Sequence, residues 1–363
     1  MHMSDSCPSL TLAGGYNIAY PRTDVILTGL HELGIHPEHR QVAWSSPFWR
    51  TRRLRSLLRK EPISTDCVFV PAFCHHEVPV VRRHTSKPVI FDPLISRYES
   101  KINDYKTAAR FSIHGLSNYL ADKRALRSAD LVLADTEEHK RFFCERYRIA
   151  PEKIEVVYVG YNADDFYPEQ PPRTLSDTTR TVGFYGSFIP LHGVDTILAA
   201  ARLLRCRRDI HFELIGSGHT FTQARDFVRS ENLTQVKMPG KLPYSELPHK
   251  LRSWDLCLGI FGESRKTRMV IPNKVFHYAA CARPFISRDS PAMREVFTHG
   301  KDAWLCDSDP RKLARAIEYL LENDSLQRTL AHRGEQTVRQ FAHSRIGKRF
   351  QSILCDRGRV RLR

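Results

Sequence analysis

The chain has 363 residues, 41% of them apolar, and carries 56 Lys+Arg against 40 Asp+Glu for a net charge of +16. That length exceeds one ordinary core and points to two domains, while no stretch approaches the ~18 or more uncharged apolar residues that span a bilayer. The opening MHMSDSCPSL lacks the basic and apolar parts of a secretion signal, and nine cysteines with no C-x-x-C pair speak against a disulfide framework or a zinc cage; a cytoplasmic protein with free thiols is expected.

Short apolar runs ending in polar or glycine turns alternate with longer helical patterns, the signature of a parallel sheet wrapped by helices. In the first half the expected strands are 9–13, 67–70, 88–91, 131–133 and 154–159, with helices near 23–33 and 136–147. Between them lies a basic cluster, Arg50, Arg52, Arg53, Arg55, Arg59 and Lys60. On a helix, Leu54, Leu57 and Leu58 share one stripe and Arg52, Arg55 and Arg59 lie opposite, which suits packing with a solvated basic face or lying on a membrane surface. The stretch 161–180 then turns polar, carries Pro168, Pro171 and Pro172, and reads as a linker. The second half restarts with strands at 181–185, 210–215, 235–238, 256–260, 284–287 and 303–306, and closes with helices near 311–322 and 325–340. The arginines of the tail, Arg357, Arg359, Arg361 and Arg363, read as a frayed, solvated end.

In such sheets ligands bind beyond the carboxyl ends of the strands, so the loops there carry the candidates. After the strand at 181 comes Gly186-Ser187, then His192-Gly193 opening a helix; glycines there let backbone N–H groups approach a phosphate. The same glycines also suit plain packing. The spacing is not G-x-G-x-x-G, which disfavours a dinucleotide. Gly216 follows the next strand and Lys241 the third. The most informative segment runs from Gly259 through Glu263, Lys266 and Arg268 to Pro272, Asn273 and Lys274. It reads either as a solvated basic loop before an ordinary helix or as a diphosphate site formed by the positive helix end with Lys266, Arg268 and Lys274, Glu263 accepting from ribose or sugar hydroxyls. In the first half Gly14 and Gly15 follow the first strand, either as a tight turn or to let the backbone close over phosphates. His75-His76-Glu77 has metal-capable side chains but no H-E-x-x-H pattern and reads as a loop.

The stretch from Val182 to about Phe341 closely resembles the donor half of retaining family-4 glycosyltransferases of the GT-B fold, in particular a bacterial and archaeal branch. It carries "FYGSFIPLHG", "LIGSG", "GKLPYSEL", "GIFGES" and "VIPNKVFHYAACARPFISRDSPAMREVF". The first half agrees through "YNIAYPRTDVILTGLHELG", "KPVIFDPLISRYES" and "SADLVLADTEEHKRFF". The resemblance implies an α/β chain of two Rossmann-like doubly wound domains facing each other across a cleft. Its parts would be an acceptor-binding domain over 1–165, a linker over 166–180, a nucleotide-sugar domain over 181–342, and a closing helix with basic tail over 343–363.

Carried over residue by residue, Gly186 and Ser187 would face the diphosphate, Glu263 would match the first acidic residue of the family's paired-glutamate motif, and Glu295 would lie near the donor. Asp92 would face the reacting sugar, with Arg22 and His114 on the acceptor side. Three departures stand out: Ser187 and His192 replace the family's Arg and Lys, and His277 replaces its second glutamate. Catalysis would rest on Asp92, Glu263 and Lys274. The donor would be a nucleotide-sugar used as co-substrate, with neither metal nor other cofactor, since no D-x-D motif marks the donor half and "DSD" at 307–309 only opens a helix. The acceptor would be a glycan or a lipid-linked molecule in cell-surface polysaccharide or glycoconjugate synthesis, met at the inner face of the membrane, with an anionic membrane surface as a further partner. Two alternatives stay open, a nucleotide-sugar epimerase or hydrolase of the same fold, and a non-catalytic basic protein that binds nucleic acid or sugar nucleotides. No nucleic-acid signature is found, and nucleic acid is not expected as a partner.

Overall fold

The computed structural model describes residues 8–107, 109, 112–168 and 179–360. They form two compact units, Met1–Gly160 with Phe341–Arg363, and Tyr161–Gln340.

In the first unit β1 (Leu10–Gly14), α1 (Pro21–His31), β2 (Glu38–Gln41), α2 (Pro47–Lys60), β3 (Cys67–Val70), α3 (Val78–Arg82), β4 (Val89–Phe91), α4 (Ile113–Ser128), β5 (Leu131–Ala134), α5 (Glu137–Tyr147) and β6 (Ile154–Val156) follow one another. The strands make one parallel sheet in the order β2-β1-β3-β4-β5-β6. Every residue of β3, β4 and β5 is buried, as expected where helices cover both faces of a parallel sheet. Right-handed crossovers from β2 onward put α2, α3, α4 and α5 in one layer, where each touches the next, and α1 on the other face.

The second unit runs β7 (Arg180–Gly186), α6 (Val194–Leu203), β8 (Ile210–Gly216), α7 (Phe221–Ser230), β9 (Val236–Gly240), α8 (Leu247–Arg252), β10 (Leu256–Leu258), α9 (Asn273–Ala280), β11 (Phe285–Arg288), α10 (Pro291–Arg294), β12 (Trp304–Cys306), α11 (Pro310–Leu321) and α12 (Asp324–Val338). Its parallel sheet has the order β12-β11-β10-β7-β8-β9. Phe184, Ile197, Leu214, Leu258 and Ile317 lie in its core. The final helix, α13 (His343–Val360), returns to the first unit, where Gly347 meets Gly29 of α1 so closely that a Cβ on either would strike the other helix.

The expected elements appear within two residues of their predicted ends, except that the strand expected over 154–159 stops at Val156. The edge strand β2, absent from the sequence reading, is EHRQ and nearly all exposed, so no apolar run marked it. Asp309 caps α11, accepting from the Lys312 N–H at 2.9 Å, so the "DSD" segment does open a helix. Most of the predicted linker, residues 169–178, lies outside the described residues. Phe166, at its predicted start, is buried against His277 and packs with the second unit. Of the tail arginines expected to fray, Arg357 and Arg359 lie on the backbone of α13, while Arg361 and Arg363 fall outside the described residues.

Candidate active site

The second unit brings the loop after β7 and the start of α9 together. Lys274, in the first turn of α9, is 4% exposed, and its Nζ has no hydrogen-bond partner among the described residues. The ammonium lies 4.1 Å from the centre of the Phe184 ring, and a Cβ at Gly186 would meet it at 2.8 Å. The same Cβ would meet His192 Cε1 at 2.6 Å, so only glycine fits at position 186 without moving both side chains. Burial drives the Lys274 ammonium well below the ordinary lysine range. It also pushes the buried His192 well below the ordinary histidine value, helped by Lys274 and then Lys266, so His192 is a neutral imidazole whose Nδ1 has no partner. A buried ammonium without a counter-charge is costly, by several kcal/mol in general, and this one sits beside the N–H groups that open an eight-residue helix. The arrangement is suited to an anion.

Neighbouring loops hold it in place. Gly193, with φ of 61°, sits at the N-terminus of α6 and lies so close to Phe261 that a side chain there would strike its backbone. The Phe261 N–H donates to the His192 carbonyl at 2.9 Å and the Gly262 N–H to the Leu191 carbonyl at 3.2 Å, which ties the loop after β10 to the loop after β7. Arg288 donates to the Gly262 carbonyl and to Thr267 Oγ1. Gly216 packs under the Gly186 carbonyl. Lys266 is buried, whereas Glu263 and Arg268 of the same loop are exposed. Ser187 and Lys241 are exposed, and Asn273 and Glu295 are half-buried.

His277 is not a surface residue. It is 1% exposed, stacks on Phe166 at 3.8 Å, and its Nδ1 is 2.6 Å from the Tyr185 hydroxyl. Burial lowers it to about 3, so it is uncharged where the resembled family carries a glutamate.

In the first unit the structure joins Arg22 to Asp92. Both are buried, Arg22 Nε donating to Asp92 Oδ2 at 2.7 Å while the Leu94 N–H donates to Oδ1 at 3.1 Å. Arg22 also donates to the Val157 carbonyl, so the pair clamps α1, the end of β4 and the stretch after β6. Each carboxylate oxygen of Asp92 thus accepts a hydrogen bond and the guanidinium is buried, so the sugar-facing and acceptor-side candidates form one pair. His114 is exposed on α4, and among the described residues no contact joins it to Arg22 or Asp92. Arg50, one of the basic cluster, is 2% exposed and paired with the buried Glu77 at 2.8 Å. It lies under Gly15, where a Cβ would meet its side chain at 2.7 Å, and Gly14 lies over Cys74 in the same way. The Gly14-Gly15 turn thus rests on a buried ion pair, and Glu77 is part of that pair rather than of a metal-capable loop.

Residues 179–323 match the glycosyl transferases group 1 family. This match covers less than half of the chain, whose fold is GT-B. The chain is 26% identical over 188 residues to an uncharacterized glycosyltransferase of Methanocaldococcus jannaschii, covering 52% of this chain and 49% of that protein. It is 23% identical over 254 residues to the D-inositol 3-phosphate glycosyltransferase of Thermobispora bispora, covering 65% and 58%. The chain thus spans about half the length of these curated relatives. The crystal structure of Anabaena HepE in complex with UDP and glucose matches with a TM-score of 0.74 at 14% identity, over 96% of this chain and 99% of that one. Sucrose-phosphate synthase of Thermosynechococcus elongatus matches with a TM-score of 0.77 at 14% identity, over 95% and 98%.

Within the group 1 segment, sequence reasoning found Gly186, His192 and Lys274 but missed what surrounds them. Phe184 under the ammonium, Phe166 and Tyr185 around His277, and Arg288 bracing the loop were not singled out. One signal was present: all of Lys274–Ala280 is buried, and VFHYAA reads as apolar all round, so a lysine in its first turn is carried inward with it.

Proposed function

We propose that this protein is a retaining glycosyltransferase that moves a sugar from a nucleoside-diphosphate sugar to an acceptor hydroxyl. The observation that carries the reading is the buried Lys274 Nζ, unpartnered beside the Gly186 turn at the start of α9. Such a group favours a site that receives a diphosphate, whose negative charge supplies the missing partner. In the proposed reaction the bond between the anomeric carbon and the diphosphate oxygen breaks as the acceptor oxygen attacks from the same face and passes its proton to the departing diphosphate oxygen. Lys274, Lys266 and the N–H groups opening α9 offset the charge on the departing diphosphate, the kind of preorganised stabilisation that supplies most of the rate in such sites. With those cations in place the reaction is proposed to need no divalent metal and no cofactor. Gly216 and Ser187 would border the phosphates. Exposed Glu263, with Arg268 and Lys241, would meet the sugar and ribose, and neutral His277 would leave the ribose contact to other groups.

The group 1 match over residues 179–323 and the UDP and UDP-glucose complexes of HepE support a UDP-linked donor as the first to test. A glycan or lipid-linked acceptor in surface polysaccharide synthesis follows from the resemblance and is part of the proposal. The test is thermal stabilisation by UDP, GDP, ADP and their sugars, followed by product analysis with and without acceptor. Stabilisation by one nucleotide and product formed only with acceptor are expected. Breakdown or epimerisation of the sugar nucleotide without acceptor would replace the transferase reading with that of an isomerase or hydrolase.

A further inference from the structure

The outer face of the layer formed by α2, α3 and α4 carries a feature that the donor site does not use. A groove of about 430 Å³ opens there, with Phe48 and Arg55 from α2, Val80 and Arg83 from and just after α3, and Arg124 from α4 on its walls. The three arginines are exposed, and no aspartate or glutamate lines the groove. Around it the surface is apolar where a water-facing helix is ordinarily polar. Trp44, Phe48 and Trp49 are 66%, 64% and 50% exposed at the start of α2, and Ile113, Leu116 and Leu120 are 90%, 57% and 50% exposed on α4. Positions 113, 116 and 120 share one side of that helix, opposite its buried Gly115, Asn118, Asp122 and Ala125. On α2 the buried Arg50, Leu54 and Leu58 leave Arg52, Arg55 and Arg59 facing out. Because α2, α3 and α4 lie in one layer, both sets of side chains project away from the same face of the sheet.

We infer that this face docks on an anionic phospholipid bilayer, with a lipid phosphate seated among Arg55, Arg83 and Arg124 and the aromatic and aliphatic side chains entering the headgroup region. Guanidinium forks match phosphate oxygens, and tryptophan and phenylalanine sit well at the boundary between headgroup and acyl chain. Charge alone would equally suit a nucleic acid. Ile113, Leu116 and Leu120 decide the choice, since a polyanion in water would leave them exposed and a bilayer covers them. No helix among the described residues is long and apolar enough to cross a membrane, so the contact is a surface one. The inference stands beside the transferase reading and does not rest on it, because it is read without donor or acceptor.

The test is co-sedimentation of the full chain with vesicles of phosphatidylcholine alone or mixed with phosphatidylglycerol, with the emission of Trp44 and Trp49 followed in parallel. Binding to the anionic vesicles only, with a blue shift, is expected. Arg55→Gln, Arg83→Gln and Arg124→Gln should each weaken it by roughly fivefold, and the triple variant by about a hundredfold. A Leu116→Ser/Leu120→Ser variant should weaken it with all charges intact, and circular dichroism checks that each variant is folded. Equal binding to neutral vesicles, or full binding by the triple variant, overturns the headgroup site. Full binding by the serine variant together with tight binding of an unrelated DNA duplex makes the face a polyanion surface instead. A dimer in the absence of lipid that the triple variant abolishes makes it a contact between copies.

Discussion

Each unit of this chain buries cationic side chains beside a glycine turn, and they are treated in opposite ways. In the first unit Arg22 is matched by Asp92 and Arg50 by Glu77, each pair almost wholly hidden from solvent. In the second, Lys274 is just as hidden and has no ion pair or hydrogen-bond partner among the described residues, its Nζ lying over the Phe184 ring with Tyr185 and a neutral His192 nearby. A paired buried cation already has its counter-charge inside the fold and clamps elements together. An unpaired one is a local instability that folding tolerates, and it marks the place where a counter-charge from outside adds stability. The proposed ligand role of Lys274 rests on this contrast.

The largest expected effect comes from breaking a matched pair. Arg50→Met leaves Glu77 buried without its cation and should lower stability by about 3–5 kcal/mol, seen as a drop in the urea midpoint. Lys274→Met, although as deeply buried, should not destabilise, because it removes a charge that had no partner. A similar loss in both variants would erase the distinction drawn here.

Function should respond the other way round. Lys274→Ala is expected to reduce transfer by roughly a hundredfold or more, the scale of losing one preorganised electrostatic contact. Turnover of the folded variant equal to that of the wild type removes Lys274 from the mechanism. Gly186→Ala comes next: its Cβ would press on both Lys274 and His192, so a cost of about 1–3 kcal/mol in stability, together with weaker nucleotide binding, is expected in a denaturation and titration series.

The pH dependence sharpens the same comparison. The folded-state value of Lys274 lies below its unfolded value, so between the two the unfolded chain holds a proton that the folded chain does not. Stability attributable to this group therefore rises with pH toward the free-lysine value of about 10.4. The advantage of Lys274→Met over wild type should be present near neutrality and shrink as the solution is made alkaline, which melting curves across that window can show. The smallest effect expected is that of chelation: if Lys274 and Lys266 carry the phosphate charge, EDTA leaves transfer intact, and activity lost to EDTA and restored by Mn²⁺ or Mg²⁺ contradicts that part of the proposal.

The fold was largely legible in the sequence because its strands are short apolar runs buried on both faces; Cys67–Val70 was read with its ends as they stand. Glu38–Gln41 was not, since an exposed polar edge strand has no such run. In the site, glycines and a basic segment were visible, yet burial was not. Arg22 and Asp92 lie 70 residues apart in the chain, and nothing local in either declares the other. That Lys266, Lys274 and His277 are buried is not legible from their types, which favour solvent, and for Lys274 and His277 the packing of α9 and the stacking of Phe166 reverse that preference.

If Lys274 is the counter-ion of a nucleotide diphosphate, calorimetric titration of UDP into wild type and Lys274→Met in two buffers of different ionisation enthalpy reads it out. Wild type is expected to take up protons as UDP binds, because an amine whose proton affinity is lowered by burial regains its proton beside the diphosphate, and the methionine variant to lose both most of the affinity and that uptake. UDP binding by the variant with wild-type affinity and the same proton exchange would contradict it.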